Sequence, residues 1–473
     1  MSSATLYKSV ENVKPSLEDI ANLVNGKLKI VNQDKFRSLA YQLAYNSVFN
    51  ADEKVRDLCC WLIRAGADLC GLRLASIHDL YMARGRGECK GFTVPAINIR
   101  GMTFDVASQV FNAAMKNKVG PFIFEIARSE IGYTLQRPLE YATVVVAAGL
   151  ATGYKGPLFI QGDHYQVNAK KYKADADNEL GTIRDLIVES LDAGFLNIDI
   201  DASTVVDLSK PTEDEQQETN AAITHDLTVY IRDKEPSGVT VSIGGEIGEV
   251  GGKNSTVEDL RGFVGNYNKK LKKSKAGTPG LSKISIQTGT THGGVPLPDG
   301  TVAKVKVDFD TLEKLSKVAR EEYGMAGAVQ HGASTLPEEA FDLFPKKETA
   351  EIHLATGFQN IIYDHEAFPE DLRQTVYGHL KKECANERKE GQTDEQFYYT
   401  TRKKGFGPFK KEMWDLPVDV KRPICQKLED QFDFLFKKLA VGNTEGLTKK
   451  HIKPVSLRLA VPELAQKVLS RSR

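Results

Sequence analysis

Three histidines carry the sharpest chemical signal in the chain: His164 in GDH (162–164), His292 in THGG (291–294) and His331 in QHGAS (330–334). Three neutral imidazoles leave one position of a tetrahedral ion open. That donor set suits catalytic Zn²⁺, which can polarise a carbonyl while substrate or water takes the fourth place. A single histidine is more often structural or merely exposed, so the inference rests on all three lying at the ends of apolar runs. The glycines after His292 and His331 allow close backbone approach and leave amides to face anionic oxygens. Carboxylates stand at comparable places: Asp163 beside His164, Asp201 with Ser203 in IDAS (200–203), and Glu246 in GGEIG (244–248). Asp201 also fits a helix cap and Glu246 a buried ion pair; around a metal, both would orient the imidazoles or hold a second cation position. Asp163 poses a geometric question. Neighbours on a regular strand point to opposite faces, so Asp163 and His164 share one mouth only where the strand end bends.

Residues so far apart in sequence need a scaffold that gathers them. From about residue 90 the chain alternates short apolar runs with longer amphipathic segments, the pattern of βα units and a parallel sheet. The strand candidates are 92–98, 121–127, 157–163, 195–201, 239–248, 283–289, 327–332 and 357–363. Eight strands with helical segments between most of them predict a closed (β/α)8 TIM barrel, whose strand ends surround one mouth. An open doubly wound sheet would place a Gly-rich dinucleotide fingerprint after its first strand, and FTVPAINIRGM (92–102) has none. Helical spacing over 16–83 predicts a helical N-terminal extension (1–85) before the barrel (86–365). Charged helical segments at Glu370–Glu390 and Val418–Leu439, with a loop rich in Gly, Lys and aromatics between them, predict a helical C-terminal extension (366–473). The basic, Gly/Pro-marked stretch 271–280 reads as a surface loop.

Composition narrows the partners. Lys and Arg number 63 and Asp and Glu 63, which gives no electrostatic footprint for nucleic acid or anionic membrane. The N-terminal segment lacks a basic stretch followed by an apolar core, and no run approaches a membrane span, so a soluble, cytoplasmic protein is expected. The six cysteines form no CxxC pair and read as reduced, packing thiols.

At these residues the sequence resembles the class II, metal-dependent fructose-bisphosphate aldolases. VPAIN (94–98), GDH, IDAS, GGEIGEVGG (244–252), THGG, QHGAS and Asn360 carry the resemblance, in this order and spacing, from about His78 to Asp364. It implies that His164, His292 and His331 bind the catalytic zinc, with Co²⁺ or another divalent ion as a substitute. It also implies that Asp163 donates the proton to the aldehyde oxygen, and that Glu246 and Asp201 surround an alternative metal position. Gly293, Gly332 and Ser334 would seat the phosphate of dihydroxyacetone phosphate; Asn98 and Asn360 would contact substrate. A monovalent cation near that phosphate and a homodimer or larger homo-oligomer are implied as well. The reaction would cleave or form a ketose bisphosphate, a step of glycolysis, through a zinc-stabilised enediolate. Departures from the pattern bear on the substrate. Lys253 and Asn254 stand where many members carry a carboxylate able to act as base, so the base is unassigned. Ile362 replaces an expected Asp, and Ala127 an expected Ser.

Other functions fit less well. A Schiff-base aldolase needs a desolvated lysine near a strand's C-terminal end, and the one strand lysine, Lys283, begins its strand. An amidohydrolase would show an HxH pair, and none occurs. An aldolase for tagatose bisphosphate or another ketose phosphate fits the same motifs. A non-catalytic aldolase-like barrel subunit is the alternative that Lys253 and Asn254 motivate.

Overall fold

The computed structural model describes residues 4–469 apart from 25, 249–251, 275–276, 291–296, 298–302, 304–305 and 458–459. Eight parallel strands close into a barrel: β1 (Val94–Asn98), β2 (Ile123–Ala127), β3 (Gly156–Gln166), β4 (Asn197–Asp201), β5 (Ser242–Glu246), β6 (Lys283–Ile286), β7 (Ala328–Gln330) and β8 (Glu351–Leu354). Each pairs with the next in sequence, and β8 pairs with β1 from Glu351↔Val94 to Leu354↔Ile97, which leaves no open edge. The (β/α)8 barrel expected from the sequence is therefore the fold, and helices surround it.

Seven of the eight expected strands coincide with an observed one, β3 running past its expected bounds at both ends; the last does not. Residues 357–363 lie in the helix Thr356–Asp364, and the strand is the preceding Glu351–Leu354. The physical reason is visible in the residues. Phe358, Ile362 and Tyr363 bury at helical spacing, whereas Glu-Ile-His-Leu is short and turns a Glu and a His inward, so it lacks the apolar look of a core strand. The N-terminal extension is also less uniformly helical than expected. It adds an antiparallel hairpin, Ala21–Val24 with Lys27–Ile30, and a strand, Leu72–Leu74, that runs parallel to the start of β3.

The extensions cover a helix that would otherwise be exposed. Pro138–Thr152 starts with Pro at its first turn, where a missing N–H costs nothing, and ends on Gly153 at φ +79°. Its sequence, PLEYATVVVAAGLAT, is apolar on nearly every face, so one side packs on the barrel and the other must be covered too. The N-terminal helices Ala40–Phe49 and Glu53–Leu69 cover it. The C-terminal helix Val418–Lys438 packs on Thr103–Lys116 and Thr356–Asp364, with the Phe432 and Phe358 rings 4.8 Å apart. The two extensions meet where Tyr41 stacks on Trp414 and the Tyr45 hydroxyl donates to Asp415 at 2.8 Å.

Below the mouth the barrel is closed by the helix His78–Gly85, whose buried Tyr81 hydroxyl donates to Glu351. Barrel interiors are usually layered with Val, Ile and Leu; this one carries Glu125, Gln161, Asp199, Lys283, Glu351 and His353, all buried.

Candidate active site

The end of β3 answers the question about Asp163 and His164. Gly162 pairs with Ile198 and Tyr165 with Ile200, so three steps on β3 face two on β4 and one extra residue bulges out. His164 takes φ +41° within this bulge, a conformation rarely tolerated outside glycine. The strand thereby turns both side chains to the same mouth. Gly162 is required next to them, because a Cβ there would lie 2.4 Å from the Tyr165 ring.

Four of the expected residues converge on His164 and one another. His164 Nδ1 lies 3.0 Å from Glu246 Oε2 and 3.3 Å from Asp201 Oδ2, while Nε2 lies 3.9 Å from Asp163 Oδ1. His331 Nε2 is 3.4 Å from the same Asp163 oxygen, and the His164 and His331 rings are 4.2 Å apart. Asp201 is held in turn by the Ser203 hydroxyl and amide at 2.6 and 2.9 Å and by Gln166. His292 and Gly293 lie outside the described residues.

Electrostatics favour a cation at this cluster. Burial alone would push the Asp163 carboxyl up, but His164 and His353 outweigh it and hold it well below the usual carboxylate range. Burial works against a charge on His164 as well, yet Asp163 and Glu246 reverse it and raise that imidazole well above its ordinary value. Burial, with His353 and His164 nearby, keeps His331 neutral. Burial and the nearby Asp201 push Glu246 up to about 7. Buried imidazoles backed by carboxylates are the surroundings that orient metal ligands. The donor set thus fits a divalent ion held by His164 and His331.

A cleft of about 520 Å³ opens above the cluster. Asp163, His164, Glu246, His331, Gly332, Ser334 and Asn98 line it; Asp201 supports it from beneath, and Asn360 is not among the lining residues. Asn360 sits on the helix after β8, where Arg402 donates to its side chain at 2.6 Å. Asn98 donates to Glu130. Gly332 takes φ +70°, and the Ser334 hydroxyl accepts the Ala355 amide at 2.7 Å. Lys253 is exposed beside Asp259, and Asn254 donates to Asp308 at 3.1 Å, both away from the cleft. Arg100, Arg128, Lys171 and Lys403 supply positive charge along the walls.

Sequence reasoning missed the residues beneath this mouth. His353 enters from β8, its ring 4.0 Å from His331; Nδ1 lies 2.9 Å from Glu125 Oε2 and Nε2 2.7 Å from Glu351 Oε1. Lys283 reaches Asp199 at 2.9 Å and Gln161 at 2.7 Å and is paired with Glu351. The available signal was the alternation in Glu351-Ile352-His353-Leu354, which puts Glu351 and His353 on one face.

Over residues 86–405 the chain matches the model of the class-II fructose-bisphosphate aldolases, and it belongs to that family. Among solved structures it is similar to a fructose-bisphosphate aldolase from Campylobacter jejuni, with 16% identity, 78% of this chain and 97% of that one covered and a TM-score of 0.47. It is also similar to the YdjI aldolase of Escherichia coli K12, with 12% identity, 78% and 99% coverage and a TM-score of 0.43. No curated protein sequence shows a significant match. No helix among the described residues is long and apolar enough to cross a membrane.

Proposed function

We propose that the protein is a metal-dependent aldolase that cleaves or forms a ketose bisphosphate, fructose 1,6-bisphosphate or a close relative such as tagatose bisphosphate, with dihydroxyacetone phosphate and an aldehyde as the fragments. The convergence of Asp163, His164 and His331 on one cleft, backed by Asp201 and Glu246, carries this reading. His164 and His331, with His292 as the expected third ligand, would hold the ion, zinc by preference. When bound, the ion supplies a Lewis acid beside the substrate carbonyl and offsets negative charge that develops there.

The chain's own residues account for the proton on the aldehyde oxygen, for the orientation of His164 and for the seat of the phosphate. Asp163 stands within reach of the cleft and would protonate the new alkoxide in synthesis and take that proton in cleavage. Glu246 and Asp201 hold His164 in orientation. Gly332 and Ser334, between β7 and the helix after β8, form the seat for one phosphate, as phosphate sites of barrels often do. Positive side chains along the walls fit a substrate with a second anionic group.

The test is direct. Purified protein should release a triose phosphate from a ketose 1,6-bisphosphate, stop with a chelator and recover with Zn²⁺ or Co²⁺. Absence of turnover on every such substrate, with metal bound, would favour a non-catalytic barrel subunit.

A further inference from the structure

A buried guanidinium is normally paired, because an unpaired charge out of water is costly. Arg64 departs from this rule. It lies on the buried face of the N-terminal helix Glu53–Leu69 and is only 7% exposed. Its Nη1 nevertheless has no hydrogen-bond partner, and no carboxylate pairs with it among the described residues. Burial pushes the group down to about 10, and what works against that shift is the Cys60 thiol, not a carboxylate. Arg84 and Arg402, buried more deeply still, face Glu348 and Asp364.

The acid one turn further along the same helix does not fill the gap. Asp68 accepts Arg73 Nε with one oxygen and the Ser456 hydroxyl, at 2.6 Å, with the other. These contacts tie it to the strand Leu72–Leu74 and to the C-terminal tail. Arg64 lines a cavity of about 30 Å³ between the same segments, together with Asp68 and Arg73 and with the aliphatic side chains of Leu72, Leu74, Val146, Val455 and Leu457. Gly194, at φ +88°, keeps room beside the guanidinium, since a Cβ there would lie 2.4 Å from Leu74 and 3.1 Å from Arg64 Nη2. Two guanidinium groups and one carboxylate leave the cavity with a single net positive charge. It shares no residue with the cleft above the barrel.

We propose that this cavity binds a small aliphatic monocarboxylate, with its two oxygens on Arg64 and its alkyl chain against Leu74, Val146 and Leu457. The planar fork of guanidinium N–H groups matches the two oxygens of a carboxylate. One negative charge balances the cavity, whereas a dianion exceeds it, and the volume admits only a short chain. The bound acid joins the N-terminal helix, the barrel helix Pro138–Thr152 and the C-terminal tail, so it strengthens the docking of both extensions. None of this rests on the proposed reaction.

Calorimetric titration of the full chain with propionate, at an ionic strength held constant with sodium chloride, tests the proposal without turnover. Saturable binding of one propionate per chain is expected, with a thermal midpoint that rises with the ligand. Sulfate should bind at least about tenfold more weakly. Arg64→Met should abolish propionate binding. Asp68→Asn, which removes the cavity's negative charge at a partly exposed position, should tighten it severalfold. Should Arg64→Met fail to fold by circular dichroism, Asp68→Asn and the sulfate comparison decide. Absence of saturable binding, sulfate bound as tightly as propionate, wild-type affinity in Arg64→Met or an unchanged affinity in Asp68→Asn would each overturn the proposal.

Discussion

Asp163 stands apart from its neighbours because three imidazoles act on one of its oxygens, His331 at 3.4 Å, His353 at 3.3 Å and His164 at 3.9 Å. The residue can exchange a proton without being an essential ligand of the histidine-held ion. Asp163→Ala should therefore lower kcat by roughly 10²–10⁴-fold, the usual worth of a positioned acid or base. The variant should keep the ion on His164 and His331, measured by elemental analysis; a metal-free variant would reassign Asp163 as a primary ligand. His331→Ala has the opposite profile. It removes a donor from the centre of the cluster, so both metal and turnover should be lost, and added Zn²⁺ should not restore them.

At the scale of elements, the β3 bulge decides whether two adjacent residues can serve one site. Gly162→Ala would drive a methyl into the Tyr165 ring, which is fully buried and bonded to Ser190. An overpacked core site costs about 1–3 kcal/mol, so the thermal midpoint should fall. Metal affinity should fall with it, because the register of His164 depends on this turn; an unchanged affinity would uncouple the bulge from the site. The helix closing the barrel bottom makes a separate prediction. Burial, with Arg232 nearby, pushes His78 down to about 4. The unfolded chain takes that proton near pH 6.5 and the folded chain does not, so the stability is complete above pH 6.5 and drains as pH falls toward 4. The loss is at most about 3 kcal/mol, and His78→Gln should show a flatter acid limb in urea melts between pH 7 and 4.5. These elements also show what a sequence discloses. Apolar runs announced seven strands and the motifs announced Asp163, His164, Asp201, Glu246 and His331. The eighth strand stayed hidden because Glu351 and His353 point into a charged interior, and the pairing of Lys283 with Asp199 and Glu351 is a contact across strands that no local pattern records.

On the scale of the whole molecule, the C-terminal extension does more than cover barrel helices. Phe406 seats against Gly101 in the loop after β1, where a Cβ would lie 2.0 Å from the ring, and buried Arg402 pairs with Asp364 at the end of the helix after β8. Between these two anchors the chain places Lys403 on the wall of the cleft, its ammonium 5.8 Å from the Tyr133 ring. Burial lowers the pKa of that lysine, and the positive charge of Arg100 beside it adds to the effect. A phosphate would relieve the repulsion. Lys403→Gln should then raise KM for a bisphosphorylated substrate by roughly tenfold, the worth of one charge-assisted contact, while leaving metal content unchanged. A substrate lacking the distal phosphate should show no such rise. If both substrates suffered equally, or neither did, the extension would be a cover for the barrel and not a part of its substrate site. A KM effect confined to the distal phosphate would place the specificity of this chain partly in the stretch that follows the helix after β8, within the family match over 86–405 but built by residues the barrel motifs do not include.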